Sequence, residues 1–91
     1  MPYITQKARL QYEKEIASLT KKLLEDIPYD QVDGNINYIF SSILRKIFDV
    51  DTGYFNYNRA IGILECVKQE YYRRALAPYE DKKIKENGDV Y

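Results

Sequence analysis

The chain has 91 residues, 45% hydrophobic and 31% charged, with 14 lysines plus arginines against 14 acids and a formal net charge of zero. This composition excludes a disordered chain, and the charge balance argues against a general nucleic-acid or anionic-membrane binder, because no overall field steers the protein there. The absence of histidine and the single Cys66 remove Ser–His and Cys–His nucleophiles, cysteine zinc sites within one chain and any intramolecular disulfide.

In chain order, Met1 to Gln6 reads as an extended lead-in, because Pro2 cannot join a helix interior. Thr5 or Gln6 starts the first predicted helix. Tyr12, Ile16, Leu19, Leu23 and Ile27 follow in steps of four, three, four and four, drawing one narrow apolar stripe. Pro28 ends this helix, and Pro28 to Gly34 reads as a loop. Asp33 or Asn35 is the expected cap of the second helix. That helix runs to about Phe48, with Ile36, Ile39, Phe40, Ile43, Leu44 and Ile47 on one broad face. Its β-branched content fits a strand, but the three-and-four spacing and the intervening Asn37, Ser41, Ser42, Arg45 and Lys46 decide for helix.

Asp49 to Asn56 is the second predicted loop. Asp49-Val50-Asp51-Thr52-Gly53 opens like a calcium loop, but counting from Asp49 puts Tyr54 and Ala60 where that loop needs glycine and glutamate. With Asn56 or Asn58 as cap, the third and longest helix is expected from Tyr57 to about Ala77. Its stripe is Tyr57, Ala60, Ile61, Leu64, Val67, Tyr71, Ala75 and Tyr79. Pro78 either kinks it or opens a short fourth helix to Lys85, and Gly88 follows as a stop. The expected fold is one domain over residues 1–91: all-α, an antiparallel bundle of three long helices plus a short C-terminal helix. Gly62 and Cys66, four apart with Ile63 beside them, lie opposite the main stripe and are the candidate contact of a homodimer.

No catalytic residue, metal set or cofactor emerges. A helical pyrophosphohydrolase needs a cluster such as Glu-Glu-x-x-Glu to converge on magnesium, and no such cluster exists here. Glu80-Asp81 and Glu86 with Asp89 read as solvated surface. Lys68 falls on the apolar face of the third helix, so it snorkels or meets an acid, with Glu80 or Asp81 as the sharper choice. Tyr71-Tyr72-Arg73-Arg74 mixes rings and cations as a phosphate or base contact does. Pairing of Arg74 with Glu70 is its plain alternative. Cys66 lacks the electropositive surroundings of a reactive thiolate. No apolar run spans a membrane, and no apolar signal region follows Met1, so a cytoplasmic protein is expected.

The segment Ala60-Ile61-Gly62-Ile63-Leu64-Glu65-Cys66-Val67-Lys68-Gln69-Glu70-Tyr71-Tyr72-Arg73-Arg74, with Pro78-Tyr79-Glu80-Asp81-Lys82-Lys83-Ile84-Lys85-Glu86-Asn87-Gly88-Asp89-Val90-Tyr91, resembles the C-terminal signature of a family of small proteins from bacteria, archaea and their phages, for which no function is established. Met1-Pro2-Tyr3-Ile4 and Gly34-Asn35-Ile36-Asn37-Tyr38 are similar to that family too. Its members often carry Gly-Glu-Leu-Asn-Tyr at the latter place, so the carboxylate they hold is missing at Asn35, which weakens an acid-based mechanism there. The resemblance implies where to look rather than an activity. Candidate functional or interface residues are Glu65, Lys68, Glu70, Tyr72, Arg73, Arg74, Tyr79, Glu80, Asp81, Asn87 and Asp89. The polar stretch after Pro78 is expected to fold back onto the third helix or a second subunit. Tyr79 would then pack, Glu80 or Asp81 would meet Lys68 or Arg73, and Gly88 would turn the chain. The leading expectation is a non-enzymatic interaction or assembly module of prokaryotic or phage origin. Behind it stand a nucleotide- or phosphate-handling protein using Glu65, Lys68, Glu70, Arg73, Arg74 and Asp81 at a dimer seam, and a nucleic-acid-binding accessory factor.

Overall fold

The computed structural model describes residues 2–49 and 53–91, and within them the regular structure is helical. Helix α1 spans Gln6–Glu25, α2 spans Val32–Phe48, α3 spans Tyr54–Tyr71 and α4 spans Ala77–Asn87. None of the helices is long and apolar enough to cross a membrane. The calcium-loop reading of residues 49–53 turns on Val50, Asp51 and Thr52, which lie outside the described residues.

Helix α1 begins as expected. The Thr5 hydroxyl accepts from the Ala8 amide at 3.2 Å and satisfies one of the amides a helix start leaves without an intrahelical partner. The second helix starts earlier than expected. Pro28, at φ −56°, leads into a 3₁₀ turn over Tyr29–Gln31 that runs directly into α2 at Val32. Neither Asp33 nor Asn35 caps it. Asp33 lies in the first turn, where its charge favours the helix N-terminus, and the Asn35 side-chain amide donates to the Gln31 carbonyl at 2.8 Å. The third helix is likewise capped by neither Asn56 nor Asn58. Gly53, at φ −137°, precedes it, and both asparagines lie inside α3, which begins three residues before the expected Tyr57. The 3₁₀ turn after Pro28 sets the start of α2, and the extended Gly53 precedes the start of α3.

The chain stays helical through Pro78. Between α3 and α4, Tyr72–Leu76 form a π-turn in which the Ala77 amide reaches back five residues to the Tyr72 carbonyl. A proline donates no amide hydrogen, and in a regular α-helix its ring collides with the carbonyl four residues earlier, here that of Arg74. Widening the turn in front of Pro78 removes that collision. The extra residue rotates every later side chain by about 100° relative to the earlier ones, one residue's share of a 3.6-residue turn. A single stripe from Tyr57 to Tyr79 is therefore broken in two. Gly88, at φ 92°, stops α4, and its amide closes on the Ile84 carbonyl at 2.9 Å. This is the stop expected there, and glycine suits it because a Cβ is strained at that φ.

The interior is thin. Phe48 is the one buried side chain among the described residues, and it seats the joint of α2 with α3, where the Arg59 guanidinium lies 5.5 Å from its ring centre. Most of the stripe assigned to the third helix is not core: Ala60 and Leu64 are half-buried, but Tyr57, Ile61, Val67 and Tyr71 are exposed. The accessible surface is 8597 Å², where a compact monomer of 10.8 kDa leaves about 5,500 Å². The radius of gyration is 16.9 Å, against about 12 Å for a compact chain of this length. One chain is thus an open arrangement of helices, not a closed one.

Candidate functional site

The side chains with a polar role converge where the beginning of the chain meets the end of α3. The extended residues before α1 run back to α3, held by the Arg9 side chain, whose Nε donates to the Ile4 carbonyl at 2.9 Å. From there the Tyr3 hydroxyl donates to Glu70 Oε1, sixty-seven residues away. The same oxygen accepts from Arg73 Nη2 at 2.7 Å. Glu70 is half-buried, with 24% of its side chain exposed, while Arg73 stays largely in solvent. These bonds favour the charged carboxylate. The Tyr3 hydroxyl and then Arg73 lower the Glu70 pKa from its ordinary value of 4.5, and Glu70 in turn raises that of Arg73.

One turn earlier, Glu65 Oε1 accepts from Gln69 Nε2 at 3.1 Å and lies 3.4 Å from Lys68 Nζ. Gln69 and then Lys68 lower the Glu65 pKa. The two acid–cation groups share an open groove with Cys66, Tyr71, Tyr72 and Leu76, at the shoulder of the π-turn. Here the structure brings together Glu65, Lys68, Glu70, Tyr72 and Arg73, five of the expected residues.

The remaining candidates lie elsewhere. Glu80, Asp81, Asn87 and Asp89 flank a second depression, between α4 and the tail, and Tyr72 is shared by the two. Asp89 turns the tail through its Oδ1, which accepts the Tyr91 amide at 2.8 Å. Within one chain, the pairing expected of Glu80 or Asp81 with Lys68 or Arg73 does not form. Because the helix continues through Pro78, Asp81 stands about 20 Å along the axis from Lys68 at 1.5 Å per residue. Lys68 projects into solvent and meets Glu65 on its own helix. Glu70 pairs with Arg73 three residues on, and Arg74, expected as its partner, contributes only through its nearby charge. Tyr79 is 55% exposed and not packed, with Lys83 Nζ 5.6 Å from its ring centre. Gly62, Ile63 and Cys66 line a third groove with Arg59, Val67 and Pro2. A Cβ placed on Gly62 meets nothing within 4 Å, and Cys66 is exposed.

A fourth groove is apolar and lies between α1 and α2, with a volume of about 240 Å³. Ile16, Leu19, Thr20 and Leu23 form one wall, and Ile36, Ile39, Phe40 and Ile43 the other. The apolar spacing marks all of these but Thr20 as inward-facing, yet Ile16, Leu19, Phe40 and Ile43 are between 41 and 61% exposed.

Chemically, the polar groove is a tether. Each acid faces a cation of its own helix turn, so the carboxylates do not converge on a common point. No group of three metal-ligating side chains occurs among the described residues. Tyr3 is the member that sequence reasoning missed, and no local pattern marks a tyrosine that acts sixty-seven residues away. The apolar groove was visible only as two separate stripes.

The family described as "Domain of unknown function (DUF6899)" matches residues 1–90, so the chain belongs to that family. No curated protein and no solved structure matches the chain.

Proposed function

We propose, for this member of a family of unknown function, that it is a non-enzymatic assembly module of prokaryotic or phage origin, working in the cytoplasm and completing its core by self-association. The observation that carries this reading is the surface that one chain leaves uncovered. Its 8597 Å² exceed the compact-monomer value by about 3,000 Å². The excess is large enough to supply an obligate interface, since such interfaces hide roughly 1,000–2,500 Å² per subunit. On this reading the antiparallel bundle that the loop lengths suggest is closed between subunits.

The charge balance supports the same reading, because a chain with 14 cations and 14 acids carries no net repulsion against its own copy. Phosphate handling ranks lower, because Lys68 and Arg73 already face Glu65 and Glu70. The polar candidates then act as positioning contacts: Tyr3, Glu70 and Arg73 fix the N-terminal lead-in against α3 and so set how the helices present their apolar faces. Thermal melts at several protein concentrations test the proposal. Folding that depends on association gives a midpoint that rises with concentration. A midpoint that is constant over a hundredfold range, from a chain of fully helical content, would refute it.

A further inference from the structure

We infer that the apolar groove between α1 and α2 is the seat of a second copy's α1–α2 pair, the two hairpins forming a four-helix core. The inference rests on the assembly reading above and adds the surface that makes the contact. A two-helix layer has no second side to cover its apolar stripe, and a core needs two packed layers.

The groove's lining mixes exposed and half-buried apolar residues. In an isologous interface one patch must fit itself, so it needs both ridges and recesses. Ile16 and Phe40 stand out at the rims, 61 and 50% exposed, while Leu23 and Ile36 are half-buried at the floor. Apart from Thr20, every lining residue is apolar. Other occupants fit less well. The chain's own tail after Gly88 runs beside α4, where it lines a separate depression. The groove of Gly62 and Cys66 is already lined in part by Pro2 of the same chain.

Thiol labelling tests the contact, because Cys66 is the only native cysteine. In a Cys66→Ser background, Thr20→Cys places a thiol on the wall of the apolar groove with little change of size. Its alkylation by iodoacetamide is followed by mass spectrometry, in parallel with Cys66 in the unmodified chain. Light scattering on the same samples reports assembly.

The expected result is an assembled protein in which the thiol at position 20 reacts roughly tenfold or more slowly than in dilute samples, since only dissociated chains expose it. Cys66 reacts at the same rate in both. Loss of assembly on adding Thr20→Cys, where the Cys66→Ser chain itself still assembles, also supports the contact. Free reaction at position 20 in an assembled protein overturns this surface and leaves self-association standing, and protection of Cys66 would then move the contact to the Gly62 face. A helical monomer at every concentration overturns both. As a second variant, Phe40→Glu is expected to abolish assembly, and a Phe40→Glu protein that still assembles overturns the inference.

Discussion

Replacing Phe48 with alanine is expected to cost more stability than any other single truncation in the chain. Phe48 is 8% exposed and sits where α2 meets α3. Removing a buried ring forfeits about 150 Å² or more of apolar burial, worth about 4 kcal/mol at 25 cal/mol per Å². The Arg59 guanidinium, 5.5 Å from the ring centre, adds about 0.5–1 kcal/mol that is also lost. Partial collapse of the cavity offsets some of this, which leaves the usual range of about 3–5 kcal/mol for a buried phenylalanine. A 91-residue domain has roughly 5–14 kcal/mol in total, so the substitution removes about a fifth of it or more. Urea denaturation followed by far-ultraviolet circular dichroism, at fixed protein concentration, measures the loss. A loss below about 1 kcal/mol, the level of an ordinary surface change, would show that Phe48 does not anchor the joint. Phe40→Ala is the companion measurement. At 50% exposure within one chain it should cost about 2 kcal/mol, and with a second copy seated on the groove the cost should approach that of Phe48 and shrink on dilution.

Thr5→Ala removes the hydroxyl that caps α1, costing about 1 kcal/mol and lowering the thermal midpoint by about 4–8 °C. An unchanged midpoint would mean that the cap contributes nothing. Glu70 binds its proton more weakly in the folded state than in the unfolded chain, so its contribution is complete above the ordinary carboxylate pKa of 4.5 and disappears as pH falls through the lowered folded value. Acid titration by NMR should show the Tyr3 ring signals shifting in that window, and Tyr3→Phe should return the Glu70 pKa toward 4.5; a Glu70 titration indifferent to Tyr3→Phe would remove the tether. Pro78→Ala restores an amide that can bond the Arg74 carbonyl. The π-turn should relax to α-helix with a gain of about 1 kcal/mol, the net worth of one hydrogen bond, whereas persistence of the π-turn in a structure of the variant would show that the proline is not its cause.

Much of the helical content was legible because it is local. The three-and-four spacing from Tyr12 to Leu23 and from Ile36 to Ile47 lies on α1 and α2, with Ile27 beyond the end of α1, Thr5 caps where a hydroxyl before an apolar period should, and Gly88 stops α4. The caps proposed at Asn35 and Asn56 failed because a 3₁₀ turn after Pro28 and the extended Gly53 start the helices earlier. Extrapolating one period across Pro78 failed because the π-turn that accommodates the proline inserts a residue; Pro78 marks a break in the sequence but not its form. The site was half legible. Glu65, Lys68, Glu70, Tyr72 and Arg73 gather because they share one helix. Tyr3 joins them through tertiary structure, and within one chain Lys68 and Arg73 meet Glu65 and Glu70 because the helix runs on through Pro78 instead of folding back.

The proposed assembly needs a second copy to cover the apolar surface that one chain leaves open. Sedimentation equilibrium of the purified protein at micromolar concentration addresses this most directly. The predicted result is a mass of twice 10.8 kDa that falls toward one chain, with loss of helicity, on dilution. A stable 10.8 kDa species of undiminished helicity at all concentrations would contradict it.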